Sequence, residues 1–473
     1  MVAIDLGAGS CRVSLLRWVD GEPDVTVVHR FANGPVDDGD SLRWPLAAIL
    51  QGVERGLRLC ADVCAEPIAS IGVDGWAVDY LRLKEDGQPL APPFCYRDPR
   101  NEAAEEAVHA LMGEADLYGL TGLQRLRFNT IYQLYADKLA GVPDAMPWIN
   151  LPEYVLHRLG ARRVSEYTNA THTGLIDLRT KTWSREIFEA LGYELAAAPE
   201  LVAPGTDLGR LRGAVADLPA FRETRLIAPA CHDTASAIAA IAHEGEDWAY
   251  LSSGTWSLLG TLQPAPLNSE AAYRDNFTNL GAAGGGICFH KSVNGMWLIQ
   301  QCMEHWSGQG HEVNLPELIA AAEQAGPPDA LLDVDHPSLM LPGNMPGRIN
   351  ARRLDSSLPA IPEALDAAPR FASLIFHSLA ARYAEVLREL AEATGEKLRC
   401  LHVVGGGARN RFLNRLTEEA TGLKILPGHV ESSTIGNLAI QMALFERRAP
   451  RSSSPSLEEI GRCAGQLDAA RYE

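Results

Sequence analysis

Along this chain, short apolar runs closed by small polar residues alternate with stretches in which apolar side chains recur every three or four positions. The first pattern marks strands and the second amphipathic helices. Val2-Ala3-Ile4-Asp5-Leu6 reads as a buried strand, Gly7-Ala8-Gly9-Ser10 as its turn and Val13-Ser14-Leu15-Leu16 as the returning strand. The same succession recurs far downstream as Ala249-Tyr250-Leu251, the turn Ser252-Ser253-Gly254-Thr255, and Leu258-Leu259-Gly260. Further strands are predicted at 70–74, 224–230 and 401–404, the last running into Gly405-Gly406-Gly407. Helical periodicity covers 45–65, where Leu46, Ile49, Leu50, Val53, Leu57 and Cys60 share one face, and 371–394, where Phe371, Leu374, Ile375, Ser378, Leu379, Arg382, Val386 and Leu390 do. Shorter helices are predicted over 101–111, 235–242, 409–421 and 435–445, with a final one from about Leu457. Residues 327–346, rich in Pro, Asp and Gly, read as irregular surface and 447–455 as a linker. Strands interleaved with helices predict an α/β fold.

Length changes this picture first. A chain of 473 residues exceeds what one hydrophobic core supports, and the charged turn at 244–247 suggests two domains, 1–243 and 244–473. A net charge of −18 disfavours nucleic acid and anionic membrane as partners and favours a small-molecule substrate. No apolar stretch approaches the roughly 18 residues of a membrane span, and Asp5 interrupts what would otherwise be the core of a signal peptide. The nine cysteines lack metal-ligand or disulfide spacing, which predicts buried thiols in a reducing, cytoplasmic setting.

The two turns carry the candidate chemistry. Successive N–H groups in a tight turn of small residues form an anion-binding concavity, so the pair predicts a duplicated phosphate cradle. Asp5, at the end of its strand, suits Mg²⁺ held through water, because that ion takes oxygen ligands and keeps its hydration; Arg12 is expected to reach a phosphate as a cation. His232-Asp233-Thr234 stands where a strand turns into a helix. There Asp233 or Thr234 caps the helix, or Asp233 accepts the proton of an attacking hydroxyl, and the two roles are compatible. A helix N-terminus is expected to lower this carboxylate's pKa, making a weak base that suffices for phosphoryl transfer. Gly405-Gly406-Gly407 lacks the dinucleotide-binding spacing but signals close backbone approach, by a nucleotide or by packing.

Taken in order, these segments resemble the FGGY carbohydrate kinases of the actin/Hsp70/hexokinase superfamily. The resemblance extends through 71–80, 96–100, 128–134, 166–171, 276–281 and 295–300, so it covers nearly the whole chain. It implies two RNase H-like domains with a central cleft, the N-terminal one binding sugar and the C-terminal one nucleotide, and an ATP- and Mg²⁺-dependent phosphorylation of a ketose. Carried over by position, Asp233 is the proton acceptor, and Trp76, Ala77, His232, Thr234 and Ser292 line the sugar site. Ala8, Gly9, Ser10, Cys11, Arg12 and Thr255 lie on the phosphates, Gln300 contacts the nucleotide and Gly406 the adenosine. The sequence departs from the pattern at Cys11 and Ala77, where glycine is expected, at Ser292, where asparagine is, and at Leu280, where an acid is. Those departures keep a kinase for another sugar, such as L-fuculose or a xylulose, in view. A non-catalytic sensor is disfavoured by the presence of Asp5, Asp233 and Thr255 together.

Overall fold

The computed structural model describes residues 1–37, 39–241, 245, 247–447, 454–468 and 471–472. They form two compact units: Met1–His243, Leu262–Phe289 and Ser432–Glu473 make unit 1, and Glu244–Thr261 and His290–Glu431 make unit 2. The chain passes between units at 243/244, as well as after Thr261, Phe289 and Glu431. Residues 242–244, beside the expected boundary, and 448–453, in the expected linker, lie outside the described residues.

The sheet of unit 1 runs in the order Thr206–Arg210, Arg225–Ala228, Ser70–Gly75, Val2–Leu6, Ser10–Val19, Glu22–Ala32 and Arg471–Tyr472. Val2–Leu6 is antiparallel to Ser10–Val19, with Asp5 opposite Arg12, and parallel to Ser70–Gly75, with Asp5 beside Asp74. Side chains alternate across a strand, and that alternation divides these residues between two packing layers. Val2, Ile4, Leu6, Ile71 and Val73 enter one core with Ile49, Val53 and Leu57 of the helix Leu46–Val63. Ala3 enters another, built with Ala235 and Ala239 of the helix Asp233–Ala239 and with Ile435, Leu438 and Ala439 of Ser432–Glu446. Asp5, Gly72 and Asp74, offset by two from Ala3 or beside it in register, therefore face this second layer. The two helices of that layer come very close, because a Cβ on Gly436 would stand 1.7 Å from the Ser236 carbonyl oxygen.

Unit 2 repeats the pairing pattern. Trp248–Ser253 is antiparallel to Trp256–Gln263, with Tyr250 opposite Gly260, and parallel to Cys400–Val404, with Ser252 beside Val404. Cys400–Val404 continues in parallel to Lys424–Pro427. The long helix Ala368–Thr394 starts before the expected 371 because Pro369 suits a first turn, and it ends at Gly395, whose φ is +75°. It packs on Arg411–Thr421 through an edge-to-face contact of Phe376 with Phe412. Two expectations are corrected here. Residues 406–409 form a 3-10 turn, with Asn410 capping the following helix through the Leu413 N–H. The segment 327–346, expected to be irregular, contains the 3-10 turn Pro337–Leu339 and the start of a helix, Met345–Asp355, capped by Asn344.

Candidate active site

The polar face of the unit 1 sheet meets a polar stripe on the buried helix Ser432–Glu446. Residues 433, 437 and 441 are four apart and so line one side of the helix. Ser433 Oγ donates to Asp5 Oδ2, Asn437 Nδ2 donates to Asp74 Oδ2 at 2.5 Å, and Gln441 Nε2 donates to the Val2 carbonyl at 3.0 Å. Ser70 Oγ donates to Gln441 Oε1 at 2.7 Å, closing the stripe. Arg12 Nε lies 3.0 Å from Asp5 Oδ2. Arg12, expected to reach a phosphate, thus also neutralises the strand-end carboxylate of its own hairpin.

The 231–233 turn is set against the same strand ends. The Gly75 N–H donates to the Cys231 carbonyl at 3.0 Å, and Gly75 bridges His232. Asp233 is the first residue of its helix; His232 takes the capping position without a side-chain cap bond, so neither Asp233 nor Thr234 is the cap. Thr234 Oγ1 donates to Asp233 Oδ1 at 3.3 Å. The pKa expectation for Asp233 is reversed. Burial first, and then the charge of Asp5, push it up to about 6, against the Thr234 hydrogen bonds and Arg12 that lower it. Its side chain still keeps 32% of its exposure. Asp74 is likewise held well above the usual carboxylate range, by burial and then by Asp5, with Asp233 adding to the effect. Asp5 thus raises both Asp74 and Asp233, and Arg12 offsets part of that effect at each.

Trp76 and Ala77 follow the Ser70–Gly75 strand and are both buried. The Trp76 indole donates to Asp79 Oδ2 at 2.9 Å and packs on Trp44 with ring centroids 4.3 Å apart. Asp79 also accepts from Trp44, the Tyr96 N–H and Gln133, and burial raises its pKa to about 6 despite these donors. Val78, next to Ala77, has φ +70°, a conformation that a β-branched residue adopts only under constraint. Its carbonyl is pinned by Thr130 Oγ1 at 2.7 Å. Leu280, the acid-to-apolar departure, is buried in the strand Thr278–Gly281.

The two Gly/Ser turns differ. In the first, the Gly7 and Gly9 carbonyls accept from Asn33 side chain and backbone at 2.9 and 3.1 Å, and among the described residues no turn hydrogen bond is donated by Ala8 or Gly9. Cys11 lies in the following strand with its side chain fully buried and its thiol raised to about 12 by burial, so only its backbone is available to a ligand. In the second, the Gly254 N–H is spent on the Trp256 carbonyl at 2.9 Å. The Gly254 and Thr255 carbonyls receive the Met296 and Trp297 N–H groups. The two turns thus share a pairing scheme and differ in how their backbone groups are bonded. Gln300 is exposed on the helix Trp297–Gly308. In the triple glycine, Gly405 needs its φ of +82°, and a Cβ on Gly407 would fall 1.9 Å from Ser253 Oγ, so packing accounts for both. Gly406 is exposed with nothing near its missing Cβ. Ser292 lies on the strand Ile287–Asn294, where neighbouring Asn294 gives its amide to the Val334 carbonyl at 3.0 Å.

Sequence reasoning passed over Asp74, Ser433, Asn437 and Gln441. For the last three a signal was present, as polar residues at four-residue spacing in a largely apolar helix.

The N-terminal domain model of the FGGY family of carbohydrate kinases matches residues 1–240 and the C-terminal domain model residues 249–445; the chain belongs to this family. It is a sugar kinase, transferring a phosphoryl group from ATP, with Mg²⁺, to an alcohol. The rhamnulokinase of Enterococcus faecalis is 37% identical over 93% of this chain and 88% of that protein. The rhamnulokinase of Bacteroides thetaiotaomicron is 34% identical over 93% of this chain and 89% of its own length. The fold matches the xylulose kinase of Lactobacillus acidophilus (TM-score 0.71, 16% identity, 98% and 96% of the two chains). It matches Plasmodium falciparum glycerol kinase equally (TM-score 0.71, 14% identity, 100% and 94%). This is the two-domain α/β architecture of the actin/Hsp70/hexokinase type. Among the described residues no cluster of three or more His, Cys, Asp or Glu side chains forms a metal cage. Asp5, buried at its strand end and paired with Arg12, supplies an oxygen ligand of the kind Mg²⁺ takes.

Proposed function

We propose that this chain phosphorylates L-rhamnulose at its C1 hydroxyl, giving L-rhamnulose 1-phosphate. The observation that carries the reading is that both rhamnulokinases are 34–37% identical across 93% of the chain. The C1 position follows from family resemblance.

In this reading Asp233 accepts the hydroxyl proton. A pKa near 6 leaves it ionised at neutral pH yet more basic than an ordinary carboxylate, which suits a proton acceptor. Trp76, Ala77, His232 and Thr234 bind the sugar, with Ser292 assigned to the same substrate. Ala8, Gly9, Ser10, Cys11 (through its backbone) and Arg12 of unit 1 bind phosphate, as Thr255 does in unit 2. Gln300 and Gly406 contact the nucleotide. Residues 1–243 carry sugar binding and the proton acceptor, and 244–473 carry nucleotide binding. Asp5 would hold Mg²⁺ through water, and the ion when bound would supply charge neutralisation at the phosphates. Asp233 orients the sugar oxygen for in-line attack, and Arg12 steadies Asp5. The partners are a ketose and ATP, without nucleic acid or membrane; no helix among the described residues is long and apolar enough to cross a membrane. A cytoplasmic location is supported by nine free, buried cysteines.

Ala77 and Ser292 favour one second reading, a kinase for L-fuculose or a xylulose, because each changes a position assigned to the sugar. ADP release across a ketose panel separates the two. The expected result is the highest kcat/KM with L-rhamnulose; a higher value with L-fuculose or a xylulose overturns the assignment.

A further inference from the structure

Behind the 231–233 turn, one segment of unit 1 gathers buried polar groups that the proposed chemistry does not use. Glu166 accepts the Cys231 N–H at 2.7 Å and the Thr168 N–H at 2.8 Å. The Thr168 hydroxyl donates to Glu166 Oε2 at 2.5 Å and accepts the His232 N–H at 3.4 Å. Glu153 accepts the Glu166 N–H at 3.0 Å and the Asn169 amide at 2.8 Å. These bonds fix the backbone of the turn. Its side chain is fixed from the same segment by His172, on the 3-10 turn Thr171–Thr173. His172 Nε2 lies 3.0 Å from His232 Nδ1, with the rings edge-on and their centroids 4.0 Å apart. His232 Nε2 stands 3.5 Å from Asp233 Oδ1.

A contact between two imidazole nitrogens at this distance needs one N–H and one lone pair. Burial, and then His232, hold His172 well below the ordinary imidazole range, so it is neutral. If His232 donated from Nδ1, its Nε2 lone pair would face the Asp233 carboxylate, a repulsive arrangement. If His172 donates from Nε2, His232 carries its hydrogen on Nε2 and presents it to Asp233. The groups facing this trio leave that choice intact: Asp5, Asp74 and Glu166 are acidic, Glu153 lies behind Glu166, Cys231 is a buried thiol held well above its ordinary range, and Arg12 pairs with Asp5.

We propose that His172 is a positioning residue for phosphoryl transfer: donating from Nε2 to His232 Nδ1, it locks His232 as the Nε2–H tautomer and so steadies Asp233 as proton acceptor. This rests on the proposed role of Asp233. In the transfer the sugar O–H bond breaks as its oxygen bonds to phosphorus and the bond to the leaving ADP oxygen breaks. The proton passes to Asp233, and neither imidazole gains or loses one.

The test compares wild type, His172→Gln and His172→Ala by ¹⁵N NMR of histidine-labelled free protein and by the pH profile of kcat. Gln keeps an N–H donor at the position; Ala does not. Wild type and His172→Gln are expected to show His232 as the Nε2–H tautomer, and His172→Ala a mixture. In His172→Ala, kcat falls on the order of tenfold and the acid limb moves to higher pH, while His172→Gln restores both. Should the alanine variant not fold, His172→Leu fills the space without a donor. An unchanged tautomer in the variant lacking a donor, a wild-type kcat and acid limb there, or a Gln variant as impaired as Ala overturns the proposal. The NMR spectra are recorded without sugar or nucleotide. A wrong sugar or a wrong role for Asp233 therefore alters only the kinetic arm and leaves the tautomer result standing.

Discussion

The hairpin at Val2–Val19 and the one at Trp248–Gln263 share a topology and differ in charge. Each begins with a strand antiparallel to the next and parallel to a later strand. In the first, Asp5 stands two residues before the turn glycine and lies beside Asp74; in the second, Ser252 holds that position and lies beside Val404. Among the described residues the first turn donates no turn hydrogen bond from Ala8 or Gly9, whereas the second spends the Gly254 N–H within itself. One pairing scheme therefore supports an acidic, hydrogen-bonded centre in unit 1 and a neutral, internally tied turn in unit 2. A shared backbone pattern fixes where a site can form, and the side chains at two register positions decide its chemistry.

The widest separation is expected between Asp5→Asn and Ser252→Ala. Loss of the charge proposed to hold Mg²⁺ beside the transferring phosphoryl group should lower kcat by about 10²–10³-fold. Loss of one neutral hydroxyl should cost about fivefold, the equivalent of about 1 kcal/mol. Steady-state ADP release measures both, and equal losses would erase the contrast between the hairpins.

Packing gives the next contrast. Gly436→Ala drives a methyl onto the Ser236 carbonyl, a backbone atom that carries Asp233's helix, whereas Gly406→Ala meets no atom within 4 Å. The first should cost about 3 kcal/mol or more and depress kcat with it; the second should change stability by no more than about 0.5 kcal/mol. Thermal unfolding midpoints, read beside activity, check the order.

Less of the site is legible in sequence than the hairpins suggest. The strands can be read because Val2–Leu6 and 249–251 are apolar runs closed by small residues, and the long helix because its stripe persists over 371–394. Ser433, Asn437 and Gln441 are hidden because their partners, Asp5, Asp74, Ser70 and Val2, are more than 360 residues away in sequence. The pKa of Asp233 escapes sequence reasoning for a related reason. A helix N-terminus is a local feature and lowers a carboxylate's pKa, but burial and the charge of Asp5 come from tertiary structure and prevail. The triple glycine reads as one signal and divides into two packing positions and one open one.

The smallest expected effects lie in pH. With Asp233 near 6, kcat should fall tenfold per unit below about pH 6, where an ordinary carboxylate would hold its plateau to about 4. Stability should move the opposite way. A carboxylate raised in the folded state lets the native protein bind more protons than the unfolded chain, so the contribution of Asp233 to stability is lost as pH climbs from about 4 through 6. Asp79, Glu153 and Glu166, raised to about 6, 7 and 8 by burial, act in the same direction, extending the decline to about pH 8. Unfolding midpoints between pH 5 and 8 should therefore decline while activity rises.

The most direct measurement concerns Asp233 itself. Asp233→Asn keeps the shape and removes the proposed proton acceptor. Calorimetric titration of ATP and ADP release with the preferred ketose should show nucleotide binding unchanged and kcat lowered by about 10²–10⁴-fold. Wild-type turnover in that variant would remove Asp233 from the mechanism and leave the acidic centre of the first hairpin without a catalytic role.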